Sequence, residues 1–144
     1  MTKIIAGFPA TGKTYFFNNS KSSIDSDSSN FSWLSKGVRN PDFPSNYINH
    51  IRENIDKYDI ILVSTHKDVY SALIDAELYF TIVYPSKAAI NEYIQRYKNR
   101  GNTEAFINLI LANWDNWISD IQSIKSKYCN LIELPSGKYI SDIV

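Results

Sequence analysis

The chain lacks most of what would tie it to an oxidising compartment, a structural metal or a charged surface. It has one cysteine, Cys129, and two histidines among its 144 residues. No intramolecular disulfide can form, and no cluster of Cys or His is spaced for structural zinc. A reducing, cytoplasmic setting is the expectation. An excess of either charge is absent too, because lysine plus arginine and aspartate plus glutamate number 15 each. With no global field, neither nucleic acid nor an anionic membrane is expected as a partner, and any affinity for anions must be local. No stretch approaches the roughly 18 apolar residues of a membrane span, and the apolar run at the N-terminus is too short for a signal peptide. These absences leave the expectation of a single soluble domain over residues 1–144, long enough to bury a core two or three layers deep.

One strong motif stands against them. Residues 7 to 14 read Gly7-Phe8-Pro9-Ala10-Thr11-Gly12-Lys13-Thr14 and fit G-x-x-x-x-G-K-[ST] at every fixed position. The short β-branched run Lys3-Ile4-Ile5-Ala6 precedes it, and Thr14-Tyr15-Phe16-Phe17 can open a helix behind it, which is the context a phosphate-binding loop requires. Gly7 and Gly12 let the backbone curl with its N–H groups inward, so that these donors and the start of the helix surround a phosphate. Lys13 then reaches the β- and γ-phosphates of a nucleotide, and the Thr14 hydroxyl sits on Mg²⁺.

Further along, Asp25 and Asp27 are spaced i, i+2 in a short polar stretch. On a strand this spacing puts both carboxylates on one side, at the edge where open α/β sheets bind ligands. Residues 31 to 46 read as irregular, with Gly37, Pro41 and Pro44. A helix follows from about residue 47 to 58, then Ile60-Ile61-Leu62-Val63, a continuous apolar run of the kind found in strands buried on both faces. A helix over about 67–76 and a strand over 79–84 come next. Two helices, about 88–99 and 103–126, are separated by Gly101 as a C-cap and Thr103 as an N-cap. A last strand covers 130–134. The alternation calls for a parallel sheet covered on both faces.

A phosphate loop after strand 1, Asp25-Ser26-Asp27 after strand 2, an Arg-bearing helical segment after strand 4 and a short fifth strand together resemble the small P-loop kinases, meaning nucleoside monophosphate kinases, shikimate kinase and their relatives. The segments Tyr93-Ile94-Gln95-Arg96-Tyr97-Lys98-Asn99-Arg100-Gly101 and Asn113-Trp114-Asp115-Asn116-Trp117-Ile118 are also similar to small phage-encoded P-loop proteins often labelled nucleotide kinases. The resemblance implies a three-layer P-loop NTPase fold with a five-stranded parallel sheet. It also implies ATP and Mg²⁺ as donor and metal, and transfer of the γ-phosphoryl group to a small-molecule acceptor, first of all a nucleoside monophosphate. A lid at about 86–102 would close Arg96 and Arg100 on the transferring group, where positioning and charge neutralisation carry most of the catalysis. Asp25 would stand on the metal side with Thr14, and Asp27 would face the acceptor.

Trp33 and Arg39 fall in the acceptor region, where an aromatic stacks a base and an arginine grips a phosphate; Phe31 and Arg52 are further candidates. Read from the residues alone, the two arginines also suit a solvated helix face, the two aspartates a solvated loop, and Trp33 a core aromatic. The pattern departs from many P-loop enzymes after strand 3, where Ser64-Thr65-His66 stands in place of an aspartate. Other readings are therefore a kinase of a hydroxylated metabolite, favoured by the two aspartates, and a nucleotide-binding regulatory or interaction module without turnover. A polynucleotide end kinase is disfavoured by the zero net charge.

Overall fold

The computed structural model describes all residues except 1, 21, 27–30, 32, 36 and 144. At its centre lies β1 (Lys3–Gly7), flanked on one side by β5 (Ile60–Val63) and on the other by β6 (Phe80–Pro85). Outside these lie β2 (Ser23–Asp25), next to β5, and β7 (Cys129–Leu134), next to β6, which completes the order β2-β5-β1-β6-β7 with every pair parallel. Between β2 and β5 the chain forms a separate antiparallel hairpin, β3 (Trp33–Ser35) with β4 (Val38–Arg39). The expected α/β architecture with a five-stranded parallel sheet is therefore present.

Alternation along the strands divides the core between the two faces of the sheet. Ile4, Ala6, Ile61, Val63, Phe80, Ile82 and Tyr84 face one side, where α2 (Ser45–Asn54), α3 (Lys67–Asp75), α4 (Ile90–Asn99) and α5 (Glu104–Gln122) supply Tyr47, Ile51, Leu73, Tyr97, Trp114 and Ile118. Ile5, Leu62, Val83 and Leu134 face the other, covered by Phe16 of α1 (Lys13–Asn19) and Ile140 of a 3₁₀ turn, Ile140–Asp142. The second face is thinly covered, and no residue of α1 is buried.

The junction between α4 and α5 follows from its local sequence. Gly101 takes φ +79°, its N–H donates to the Lys98 carbonyl and the Asn102 N–H donates to the Tyr97 carbonyl, a Schellman closure that favours glycine. Thr103 then caps α5, its side chain accepting from the Phe106 N–H at 3.2 Å. Three expectations are corrected. Residues 31–46 are not wholly irregular, because Trp33 and Arg39 pair across the hairpin. The helix expected to 58 ends at Asn54, and the one expected to 126 ends at Gln122, where the Ser123 and Ile124 N–H groups close the last turn on Ser119 and Ile121.

Leu62 is fully buried between β1 and β2, so Leu62→Ala leaves a cavity in the thinner face. The expected loss is about 2–5 kcal/mol, seen in urea unfolding as a lower midpoint with an unchanged slope. A loss below about 1 kcal/mol would show that this face is not packed as described.

Candidate functional site

β1 is the point at which the sheet order turns: the chain leaves it for the β5 side and later returns to its other flank at β6. In open parallel sheets such a point leaves a crevice beyond the C-terminal strand ends. A cleft of about 820 Å³ lies there, and its lining includes residues that follow β1 and β5 and the last residue of β2, together with part of α4 and Tyr139.

The 7–14 loop forms the floor of this cleft, and the two glycines serve different ends. At Gly7 a Cβ would come within 2.8 Å of both the Lys13 Cγ and the Thr11 Oγ1, so glycine is required there by close approach and not by its φ angle. Gly12 has φ +95°, and a Cβ there would lie 3.1 Å from the Tyr139 ring. The inward curl also uses Ala10, at φ +68°. A side chain in that region costs about 1–2 kcal/mol, so something must hold it.

Phe8 and Thr11 do not line the cleft, although the motif places them in the phosphate-binding set. The Phe8 side chain is buried, edge-on to Trp114 at 5.5 Å, and its N–H donates to the Val83 carbonyl at 3.0 Å. Thr11 is fully buried; its N–H and Oγ1 both donate to the Phe8 carbonyl, at 3.1 and 2.6 Å. These two residues anchor the loop, while Gly7, Pro9, Ala10, Gly12, Lys13 and Thr14 border the cleft.

Asp25 at the end of β2 also lines the cleft, beside Ser64, Thr65 and His66, which follow the adjacent strand β5. The end of β2 is pinned from below: the Tyr47 hydroxyl donates to the Ser26 carbonyl, and the Ser26 Oγ lies 2.9 Å from the His50 Nε2. The His50 ring in turn packs on Phe31 at 4.6 Å. Tyr47 and His50 had no motif to mark them. Asp27 lies outside the described residues, as does the Trp33 side chain. Arg39, expected to grip an acceptor phosphate, points elsewhere: it lies 3.7 Å from Asp68 and 5.6 Å from the Phe43 ring and is not on the cleft lining. Arg52 donates to the Ala76 carbonyl at 3.3 Å.

Arg96 and Arg100 both border the cleft, but in unlike states. Arg100 is exposed at the end of α4. The Arg96 side chain is only 9% exposed and its guanidinium is fully engaged in packing, lying over the Tyr93 ring at 4.4 Å and the Tyr139 ring at 3.9 Å. It donates to the carbonyls of Ala10 at 2.9 Å and Lys138 at 3.0 Å, and to the Glu92 carboxylate at 2.9 Å. The Glu92 carboxylate also accepts from the Ser136 hydroxyl and the Gly137 N–H. Of the segment expected as a lid, α4 is a core helix through Tyr93 and Tyr97; the Tyr97 hydroxyl donates to the Pro9 carbonyl at 3.2 Å.

Compared with protein-family models and with curated proteins, the chain matches none. The chemistry open to the cleft must come from its own groups. Loop amides and Lys13 suit an anion of several charges, and Thr14 with Asp25 offers a hydroxyl and one carboxylate. No group of three His, Cys, Asp or Glu side chains comes together among the described residues. That donor set is too small to hold a divalent cation unaided, and it fits a Mg²⁺ that keeps its waters and shares phosphate oxygens.

The phenols beneath the loop carry a pH signature. Burial pushes the Tyr93 hydroxyl up to about 12, against the opposing pull of the Arg96 charge, and burial likewise raises the Tyr97 hydroxyl above its ordinary value of 10.0. A raised phenol keeps its proton in the folded state after the unfolded chain has lost it, so it stabilises the fold below about pH 10 and that stability is lost as pH rises toward 12. The melting temperature should hold steady to about pH 9.5 and then fall, more steeply than in a Tyr93→Phe, Tyr97→Phe double variant. Parallel curves for the two proteins would show that these phenols do not titrate late.

Proposed function

We propose that the protein is an ATP- and Mg²⁺-dependent phosphotransferase of the P-loop kinase type that moves the γ-phosphoryl group to a small molecule, in the first instance a nucleoside monophosphate. The observation that carries this reading is the meeting of the G-x-x-x-x-G-K-T loop, Asp25 and Arg100 on one cleft of about 820 Å³. A volume of that order suits a nucleotide-sized ligand.

In this reading Lys13 and the loop amides hold the β- and γ-phosphates, Thr14 and Asp25 hold Mg²⁺ through its phosphate and water shell, and Arg100 neutralises charge on the transferring group. Mg²⁺ supplies charge neutralisation when bound. Phosphoryl transfer asks the protein for placement more than for covalent help, which agrees with a site built of backbone amides and cations. The nucleoside monophosphate as acceptor rests on the resemblance. A hydroxylated metabolite is the second reading, favoured by one observation: Asp25 borders the cleft while Arg39 pairs with Asp68 outside it.

A screen of nucleoside monophosphates and hydroxylated metabolites for ADP release, with MgATP as donor, tests the proposal. Release with a nucleoside monophosphate supports the first reading, and release with a hydroxylated acceptor alone supports the second. Tight MgATP binding with no turnover on any acceptor would leave a binding module and refute phosphoryl transfer. Lys13→Ala should retain its circular dichroism spectrum and lose about a hundredfold or more of the turnover found. Arg100→Ala should lower kcat far more than ATP affinity; equal losses would make it an ordinary binding group.

A further inference from the structure

We infer that Arg96 is a positioning residue that holds the 7–14 loop in its phosphate-accepting shape from behind, and that it does so at Ala10. The inference rests on the reading of the cleft as a nucleotide site, but its structural half can be judged without any nucleotide.

Three observations converge. Ala10 is a non-glycine residue at φ +68°, a conformation that an alanine leaves unless its surroundings fix it. The Ala10 carbonyl accepts from Arg96 at 2.9 Å, so the bond falls on the strained peptide unit itself. The donor has little freedom to turn elsewhere: it is clamped between the Tyr93 and Tyr139 rings, its charge is met by Glu92 at 2.9 Å, and it donates also to the Lys138 carbonyl at 3.0 Å. Swinging out to a γ-phosphate would break all of these and leave Glu92 without its cation. A planar guanidinium suits this task because it can bridge two carbonyls and a carboxylate at fixed angles, which an ammonium cannot.

The brace extends past the loop. Glu92 accepts from Ser136 and Gly137, Arg96 donates to the Lys138 carbonyl, and the Ile140 N–H donates to the Thr11 carbonyl at 2.9 Å. The turn after β7 and the phosphate loop are thereby held as one unit through α4. A loop fixed in this way presents the same amides to any nucleotide, whether it carries two phosphates or three.

Amide hydrogen exchange in the nucleotide-free protein tests the brace. The Thr11 and Ile140 amides report on the loop, and the Phe8 amide, bonded to the Val83 carbonyl at 3.0 Å, is the internal standard. In Arg96→Ala the first two should exchange about tenfold faster with Phe8 unchanged. Adding Ala10→Gly should recover most of that protection, because glycine takes positive φ without cost. Should Arg96→Ala fold poorly, Arg96→Lys keeps the charge but cannot span both carbonyls, and an intermediate rise is expected in the same readout.

Calorimetric titration supplies the second arm. MgATP and MgADP affinities should fall by the same factor, about tenfold, in Arg96→Ala, and the loss should appear in KM more than in kcat. Unchanged exchange at Thr11, no recovery with Ala10→Gly, or a selective loss of ATP over ADP would each overturn the inference, the last by making Arg96 a γ-phosphate contact. A wild-type protein that binds neither nucleotide would refute the proposed function, while the exchange data would still decide the brace.

Discussion

The structure depends on the parallel pairing of β1 with a neighbour on each side. A strand so placed has its backbone donors and acceptors taken up by β5 and β6 and its side chains buried on both faces, as Ile4, Ile5 and Ala6 are. Its C-terminal end is then the one place where the central chain must leave the sheet, and it leaves into a space that its neighbours leave open. The loop takes its position from this constraint, and Phe8 carries the constraint one residue beyond the strand through its bond to Val83 and its place against Trp114.

A second level of order comes from polar groups with few alternatives. Thr11, Arg96 and Ser26 are buried, and each has a hydrogen-bonding partner near the cleft: the Phe8 carbonyl, the Ala10 carbonyl and His50. A buried polar side chain left without a partner costs more than its bond returns, so each of these pairs selects one geometry from several that apolar packing alone would tolerate. The cleft is thus shaped from beneath by residues that do not themselves face its contents.

Much of this was legible in the sequence, and for identifiable reasons. Ile60–Val63 announced a strand buried on both faces because four apolar residues in a row suit neither a half-exposed strand nor a surface helix; Gly101 and Thr103 announced the α4–α5 junction because their roles are local. The hairpin Trp33–Ser35 with Val38–Arg39 was not legible, since strands of three and two residues leave no periodicity to read. The burial of Arg96 was not legible, for a different reason. Helical spacing puts it on a face with Arg100, but its partners Ala10 and Lys138 are 86 and 42 residues away in the chain, and only the sheet order brings them together. The i, i+4 pairing of Glu92 with Arg96 was the one local signal that a cation there had a fixed companion. Tyr139 and His50 had no such signal, because each acquires its importance from a neighbour placed by the topology.

The all-parallel sheet also bears on the order in which the protein is assembled. Ile4 pairs with Ile61, Ala6 with Ile82 and Phe80 with Cys129, so no strand of the sheet can meet its partner by a short hairpin. Each pairing spends the entropy of closing a long stretch of chain before any of its own bonds can compensate, which makes early, isolated strand pairs unprofitable and slows the search as a whole. The 7–14 loop depends on those distant pairings. Its anchor at Val83 exists only once β6 has docked, and its contact with Ile140 only once the turn after β7 has come to rest. The loop's anchors are therefore complete only when distant parts of the chain are in place, although the loop lies near the beginning of the chain.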